Sequence, residues 1–419
     1  MGNKAVIHLY IPFKTHNYIS FRMNLLKDKS FAEEQLFTGF YLRYIDRIFN
    51  KDGIFGDCIV IKSNADYGSY CVGDVQFDIS NVRIFSFDTS VSFLEMSIPF
   101  ECESIDGIAN ITSMLRLSNH KRITDNSGNA VSINDIALGI IQKYGKITIF
   151  DHISSFGETR PELLVSVIMD EKTDDVDMHA YRIASGLDNR CNEISSDVKF
   201  YSNFSYIRWA VTSRGVCNIG IKTDNEDNNK FIYNRWFSHT DTRYVVWYIL
   251  VLHQKYSLYQ YMNDIASEST KGSLREFQKK IMVFNTKYRF SLISEEVSYQ
   301  KLYEIMSDVK GLEAEFNDID EEIVRISEYI ESKSDKNSAR AMMIISILCA
   351  VSAVKDFYDI INEGNIVDNL MNLGFAARFM FVVLLLLIAV ALLIVVPKKP
   401  IKKVYRYIKK YILKLKSKI

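Results

Sequence analysis

Short runs of β-branched or alternating apolar residues dominate the first 238 positions of the chain. Ala5–Ile11, Cys58–Lys62, Val82–Pro99, Lys146–Phe150, Leu163–Met169, Lys199–Val211 and Val216–Lys222 each predict strand. Apolar positions three and four apart predict helices over Phe31–Phe49, Ile105–Leu117 and Ile133–Lys143. Asn/Asp/Gly/Ser clusters at 124–129 and 223–229 mark turns between them. This stretch, 1–238, is expected to be a mixed α/β domain within an α+β fold class.

The pattern then becomes helical. Asp241, read as an N-cap, opens a helix whose Tyr244–Leu252 segment is continuously apolar. Arg243, His253, Gln254 and Lys255 bound that run and make it a buried bundle helix, not a membrane span. A second helix is expected over Leu274–Leu292, and Ser294, Glu295 and Glu296 cap a third. On this third helix Leu302, Ile305, Val309, Leu312, Phe316, Ile319, Ile323, Ile326 and Ile330 alternate steps of three and four. Such a stripe is a coiled-coil seam, and a helical-bundle core would produce it too. Residues 239–340 are therefore expected to be a helical bundle and stalk.

Beyond position 340 hydrophobicity takes over. Phe379–Val396 contains no polar side chain, and Ala341–Val354 is a shorter apolar stretch. With five prolines in all and none between Pro161 and Pro397, long helices are permitted. A hydrocarbon core of about 30 Å needs roughly 20 helical residues, so 379–396 predicts a transmembrane helix. The segment 398–419 holds ten Lys or Arg and no acid, and its apolar positions 401, 404, 405, 408, 412, 415 and 419 predict a basic amphipathic tail on a cytoplasmic lipid surface. The opening residues show no basic, then apolar, signal pattern, so the N-terminal domain is expected on the same side. Both termini are cytoplasmic only if Ala341 onward crosses too, giving two transmembrane helices within 341–397 and a multi-pass inner-membrane protein.

That first span would carry charges. Ser346, Cys349, Ser352, Asp356, Asp359 and Glu363 step by three or four along one helical side, which in a symmetric oligomer would line a cation-favouring path. The alternative is that the three acids lie beyond the bilayer in an external loop.

Charge and composition narrow the classes. The chain balances 51 basic against 51 acidic residues; without the ten tail cations the rest holds 41 against 51, which argues against nucleic-acid binding. Cysteines 58, 71, 102, 191, 217 and 349 have no C-x-x-C spacing and read as reduced thiols, and the seven His are scattered. No phosphate-loop or dinucleotide fingerprint occurs; the Gly-bearing loops at 66–73 and 126–128 are weak candidates. No nucleophile–base arrangement has a recognisable local context, so an enzyme is not expected, no cofactor is required, and the ligand-binding and metal residues are unassigned.

A large α/β domain, a stalk helix, two spans and a basic tail together resemble the CorA-like two-span family over roughly residues 240–400, including Tyr248, Leu252–Gln254 and Tyr256. The family's Gly-Met-Asn filter would fall at Asn362-Glu363-Gly364-Asn365, where Gly364 and Asn365 remain and the Met is absent. That departure makes the chain look like the divergent CorA-like effectors associated with type III CRISPR defence. The resemblance implies a homo-oligomer, five subunits by family, whose cytoplasmic domain binds a nucleotide second messenger of the adenylated S-adenosylmethionine type and gates a membrane path. The alternative it implies is a divalent-cation (magnesium) transporter.

Overall fold

Strand β1, Asn3–Thr15, is apolar on both faces, and a strand of that kind needs a layer on each side. The structure, a computed structural model, describes residues 2–50, 54–63, 65–117, 121–150, 160–170, 175–267 and 271–363; of 266, 267, 271–273, 333–341 and 347–363 the backbone alone is described. The chain divides into two units, Met1–Ile323 and Val324–Ile419.

After β1 the first unit runs through α1 (Tyr18–Lys27), β2 (Phe31–Glu33), α2 (Arg43–Phe49), β3 (Cys58–Ser63), β4 (Ser69–Val72), β5 (Val75–Asp78), β6 (Asn81–Phe87) and β7 (Val91–Cys102). Next come α3 (Ile105–Arg116), β8 (Ile123–Asp125), β9 (Ala130–Val131), α4 (Ile133–Ile141), β10 (Ile147–Ile149), β11 (Glu162–Met169) and α5 (Val176–Ser185). Then follow β12 (Lys199–Phe204), β13 (Ile207–Thr212), β14 (Gly215–Ile221), α6 (Glu226–Phe231), α7 (Phe237–His239), α8 (Val245–Ser267), α9 (Lys271–Tyr288), α10 (Val297–Val309) and α11 (Leu312–Glu363).

Ten strands form one sheet in the order β12-β13-β14-β11-β1-β7-β6-β3-β2, with β10 also on β1; β5-β4-β8-β9 make a smaller one. Within the large sheet β11 and β14 run parallel, and the other pairs are antiparallel. Alternation divides the residues between two layers. Ile7, Leu9, Ile11, Leu94, Met96, Val165, Val167 and Ile219 join the core shared with α1, α3, α4 and α5. Their neighbours on the opposite face, including Tyr10, Phe87, Trp209 and Phe93, pack against aromatic rings of α8 and the turns before it: Tyr10 lies 5.2 Å from Tyr248, and Trp209 lies 6.4 Å from Trp247 by ring centroids. The first unit is a three-layer sandwich with the sheet in the middle.

Several expected elements change under tertiary pairing. Phe31–Phe49 is not one helix, because Phe31, Ala32 and Glu33 pair with β3 and the helix begins only at Arg43. Val82–Pro99 and Lys199–Val211 are hairpins. Asp241 caps nothing: helical backbone starts after Asn225, whose side chain accepts from the Asp227 and Asn228 amides, and runs to Ser267 through two π-helical turns, Ile232–Trp236 and Thr240–Tyr244. The boundary expected at 238 therefore falls inside continuous helix. The third bundle helix is two, α10 and α11, parted at Lys310–Gly311, where Gly311 has φ +70°. Ser294 gives its hydroxyl to the Phe40 carbonyl, and Glu296 holds the cap position.

The membrane architecture is corrected. Among the described residues no helix is long and apolar enough to cross a membrane. α11 fails for a plain reason: Ala341–Val354 would rise only about 21 Å at 1.5 Å per residue, and Arg340 and Lys355 bound it. The two-span fold class and the multi-pass inner-membrane localisation with both termini cytoplasmic fall with that finding. Phe379–Val396, the basic tail, Gly364 and Asn365 lie outside the described residues.

Candidate functional site

Two buried charge clusters sit on the α8 side of the sheet in the first unit. One joins strands β1, β6 and β7 to the second π-helical turn. A π-turn inserts an extra residue per turn, and here it puts Thr240 and Asp241 on the sheet side. Ser166 donates to the Thr240 hydroxyl at 2.8 Å, and Asn218 donates to it at 3.3 Å. Beside them Arg83, fully buried, donates from Nε and Nη2 to the two Glu95 oxygens at 2.8 and 2.9 Å and from Nη1 to the Asp241 carbonyl at 2.8 Å; Nη2 also reaches the Asp241 carboxylate. His8 Nδ1 lies 2.9 Å from both Glu95 Oε1 and Ser97 Oγ. Burial opposes charge on Glu95, yet Arg83, and after it His8, hold the carboxyl down at about 2.

His8, Glu95 and Asp241 bring ligand atoms within 4.8 Å of one another, the donor set of a divalent cation. The set does not fit one. The Arg83 guanidinium already takes both carboxylates in its fork, and a metal ion there would meet that positive charge at contact distance. The cluster is an ion-pair knot that ties the π-turn to the sheet.

The second cluster lies at the end of the sheet where β11 begins. Lys310, the residue after α10, is 4 % exposed, and its Nζ donates to Glu162 Oε2 at 2.6 Å and to the Ser213 carbonyl at 2.7 Å. Tyr256 of α8 donates to the other Glu162 oxygen at 3.2 Å. Burial, only partly offset by Glu162, brings the Lys310 ammonium down to about 8. Arg116, the last residue of α3, and Arg214, in the turn from β13 to β14, complete the surroundings. Burial and then the Arg214 charge lower the Arg116 guanidinium to about 10, against the pull of Glu162. The joint between α10 and α11 is thus held to the sheet by one lysine on one shared carboxylate.

A surface groove of about 590 Å³ runs between the β6–β7 turn and α8–α9, lined among others by Lys14, Asp88, Gln260, Asp264, Lys279 and Lys287. Two of its lysines are paired: Lys287 lies 2.6 Å from Asp57, and Lys14 lies 3.5 Å from Asp264.

The residues expected to act are placed as follows. Of the seam, Leu302, Leu312, Phe316, Ile319, Ile326 and Ile330 are buried, and Ile305, Val309 and Ile323 are half-buried; the stripe spans two helices with the Gly311 break between them. Ser346 is exposed on α11 and donates to the Met342 carbonyl at 2.9 Å. Cys349, Ser352, Asp356, Asp359, Asn362 and Glu363 belong to the α11 backbone, and their side chains lie outside the described residues. A pore wall through Ser346–Glu363 would need a spanning helix, and none is present among the described residues. Arg83, Glu95, Glu162 and Lys310 were missed because their partners lie 12 to 158 positions away, and no local motif marks them or Arg116.

No protein-family model, no curated protein and no solved structure matches the chain.

Proposed function

We propose that the first unit is the sensor of an antiviral effector of the type III CRISPR-associated kind, a binding module and not an enzyme, that receives a nucleotide second messenger of the adenylated S-adenosylmethionine type. In this reading α11 is the output element. The observation that carries it is the joint at Lys310–Gly311. A single buried ammonium clamps the foot of a 52-residue helix to Glu162 and Ser213, beside arginines that suit an anionic ligand. A ligand that drew Lys310 or Glu162 toward itself would release or reset that clamp, a two-state element of the kind signalling needs. Exposed Val324, Tyr329, Met342 and Ile345 on α11 support self-association, hence a homo-oligomeric output. The membrane-gating and magnesium-transport expectations required crossings and form no part of the proposal.

The test is calorimetric titration of the full chain with adenylated S-adenosylmethionine, alongside hydrogen exchange of amides 305–320 with and without ligand. The expected result is saturable binding with altered exchange at 309–315. Binding that leaves those amides unchanged would refute the output role, and no binding to any nucleotide would refute the sensor.

A further inference from the structure

Four arginines of the first unit are buried, and three have full sets of acceptors. Arg22 gives to the carbonyls of Ile54 and Gly56 at 2.7 and 2.8 Å. Arg83 has Glu95 and Asp241, and Arg182 has the Cys191 carbonyl at 2.7 Å and Asp106 at 3.1 Å. Arg116 differs. It is 8 % exposed, its Nε is sealed from solvent with no acceptor, and no hydrogen bond or ion pair engages its guanidinium among the described residues. A buried guanidinium nitrogen is costly without an acceptor, and among the described residues none is offered to Arg116, which leaves its fork free for a ligand.

The surrounding residues are arranged to keep it that way. Gly186, at the end of α5, has φ +59°, and a Cβ there would lie 2.3 Å from Arg116 Cδ, so the absent side chain at 186 is what lets the arginine stem lie inward. The nearby carboxylate, Glu162, is already occupied by Lys310 and Tyr256. Around Arg116 and Lys310 stand Arg160, Arg214 and Lys255, against the carboxylates of Glu162 and Glu315, an excess of positive charge that suits a dianion better than a carboxylate.

We propose that Arg116 is the core of a binding site for a phosphate-bearing ligand at the sheet end, between the C-terminus of α3, the start of β11 and the β13–β14 turn. The fork of Arg116 takes the phosphate oxygens, Arg214 closes over them from the turn, and Lys310 stands one carboxylate away. Binding would be felt at the α10–α11 joint; that consequence, though not the binding itself, rests on the sensor reading above.

The experiment uses the full chain and three probes: inorganic phosphate, pyrophosphate and adenylated S-adenosylmethionine. Each is titrated by calorimetry against wild type, Arg116→Met, Arg214→Ala and, as control, Arg190→Met, an exposed arginine whose charge pairs with half-buried Asp188. Pyrophosphate is expected to raise the wild-type melting temperature and to bind at least tenfold more weakly to Arg116→Met, with a smaller loss in Arg214→Ala and none in Arg190→Met. Without ligand, Arg116→Met should melt no lower than wild type, because it removes an unpaired buried charge. If Arg116→Met does not fold, Arg214→Ala decides: wild-type pyrophosphate affinity in that variant overturns the proposal, and weakened affinity upholds it. Equal pyrophosphate affinity in all four proteins, or none in wild type, would also overturn it. Nucleotide binding unchanged by Arg116→Met would overturn this site and leave the sensor reading standing; pyrophosphate binding at Arg116 with no nucleotide binding would do the reverse.

Discussion

His253 shows how completely burial can set a residue's chemistry. Its ring stacks on Phe87 at 3.7 Å and 10°, its Nε2 meets Thr89 Oγ1 at 2.8 Å, and its Nδ1 has no partner among the described residues. Burial, with Lys287 adding to it, drives its pKa well below the usual 6.5. The sign follows from linkage: the unfolded chain takes up a proton near pH 6.5 that the folded chain refuses, so this stabilisation is full above pH 6.5 and is lost as pH falls. Urea unfolding of wild type is expected to weaken by up to about 1.4 kcal/mol per pH unit below 6.5, and His253→Asn should flatten that limb. An acid limb identical in the two proteins would show that His253 titrates normally. The sequence placed His253 correctly on a buried helix through the apolar run before it, but its ring partner, Phe87, lies 166 positions away and could not be read.

At the scale of elements, helices and strands with strict local periodicity were legible. β1, β3, β10, β11, β14, α3 and α4 lie where alternation or three-four spacing put them, because side-chain direction along a strand or helix is a local property. The exceptions are instructive. Phe31–Glu33 carries a helical pattern yet pairs with β3, and the run from Val82 folds back at Ser90, whose φ is +71°. The π-turns had no signature at all. What holds the second, Thr240–Tyr244, is Asp241 on Arg83 and Thr240 between Ser166 and Asn218. Arg83→Met would leave Glu95 buried and uncompensated and is expected to cost about 3–5 kcal/mol. Replacing both partners, Arg83→Met with Glu95→Leu, should recover most of that loss in denaturant unfolding. A double variant no more stable than the single one would mean that the knot contributes through geometry and not through charge.

At the scale of the molecule, the first unit ends at Ile323, inside α11, so the sandwich and the α8–α10 layer belong to one body. A chain ended after Ser332 is expected to melt cooperatively within a few degrees of the full-length protein and to keep its near-ultraviolet signal from Trp209, Trp236 and Trp247, all fully buried. Loss of the cooperative transition would show that the sandwich depends on residues beyond 332. The apolar stretch Ala341–Val354 was assigned a crossing from charge balance between distant segments. The backbone makes it part of a helix bounded by charge and too short in its apolar part to span, and length decides the matter.

Sequence alone determined the strictly periodic elements, β1, β3, β10, β11, β14, α3 and α4, and the net charge of the chain. The elements were legible because side-chain direction depends on neighbours within one or two turns. Only the tertiary structure decided which charges meet. Arg116, Glu162, Arg214, Tyr256 and Lys310 come from five separate places in the chain, and a buried guanidinium nitrogen without an acceptor among the described residues is recognisable only once they are brought together and Glu162 is seen to be held by Lys310 and Tyr256.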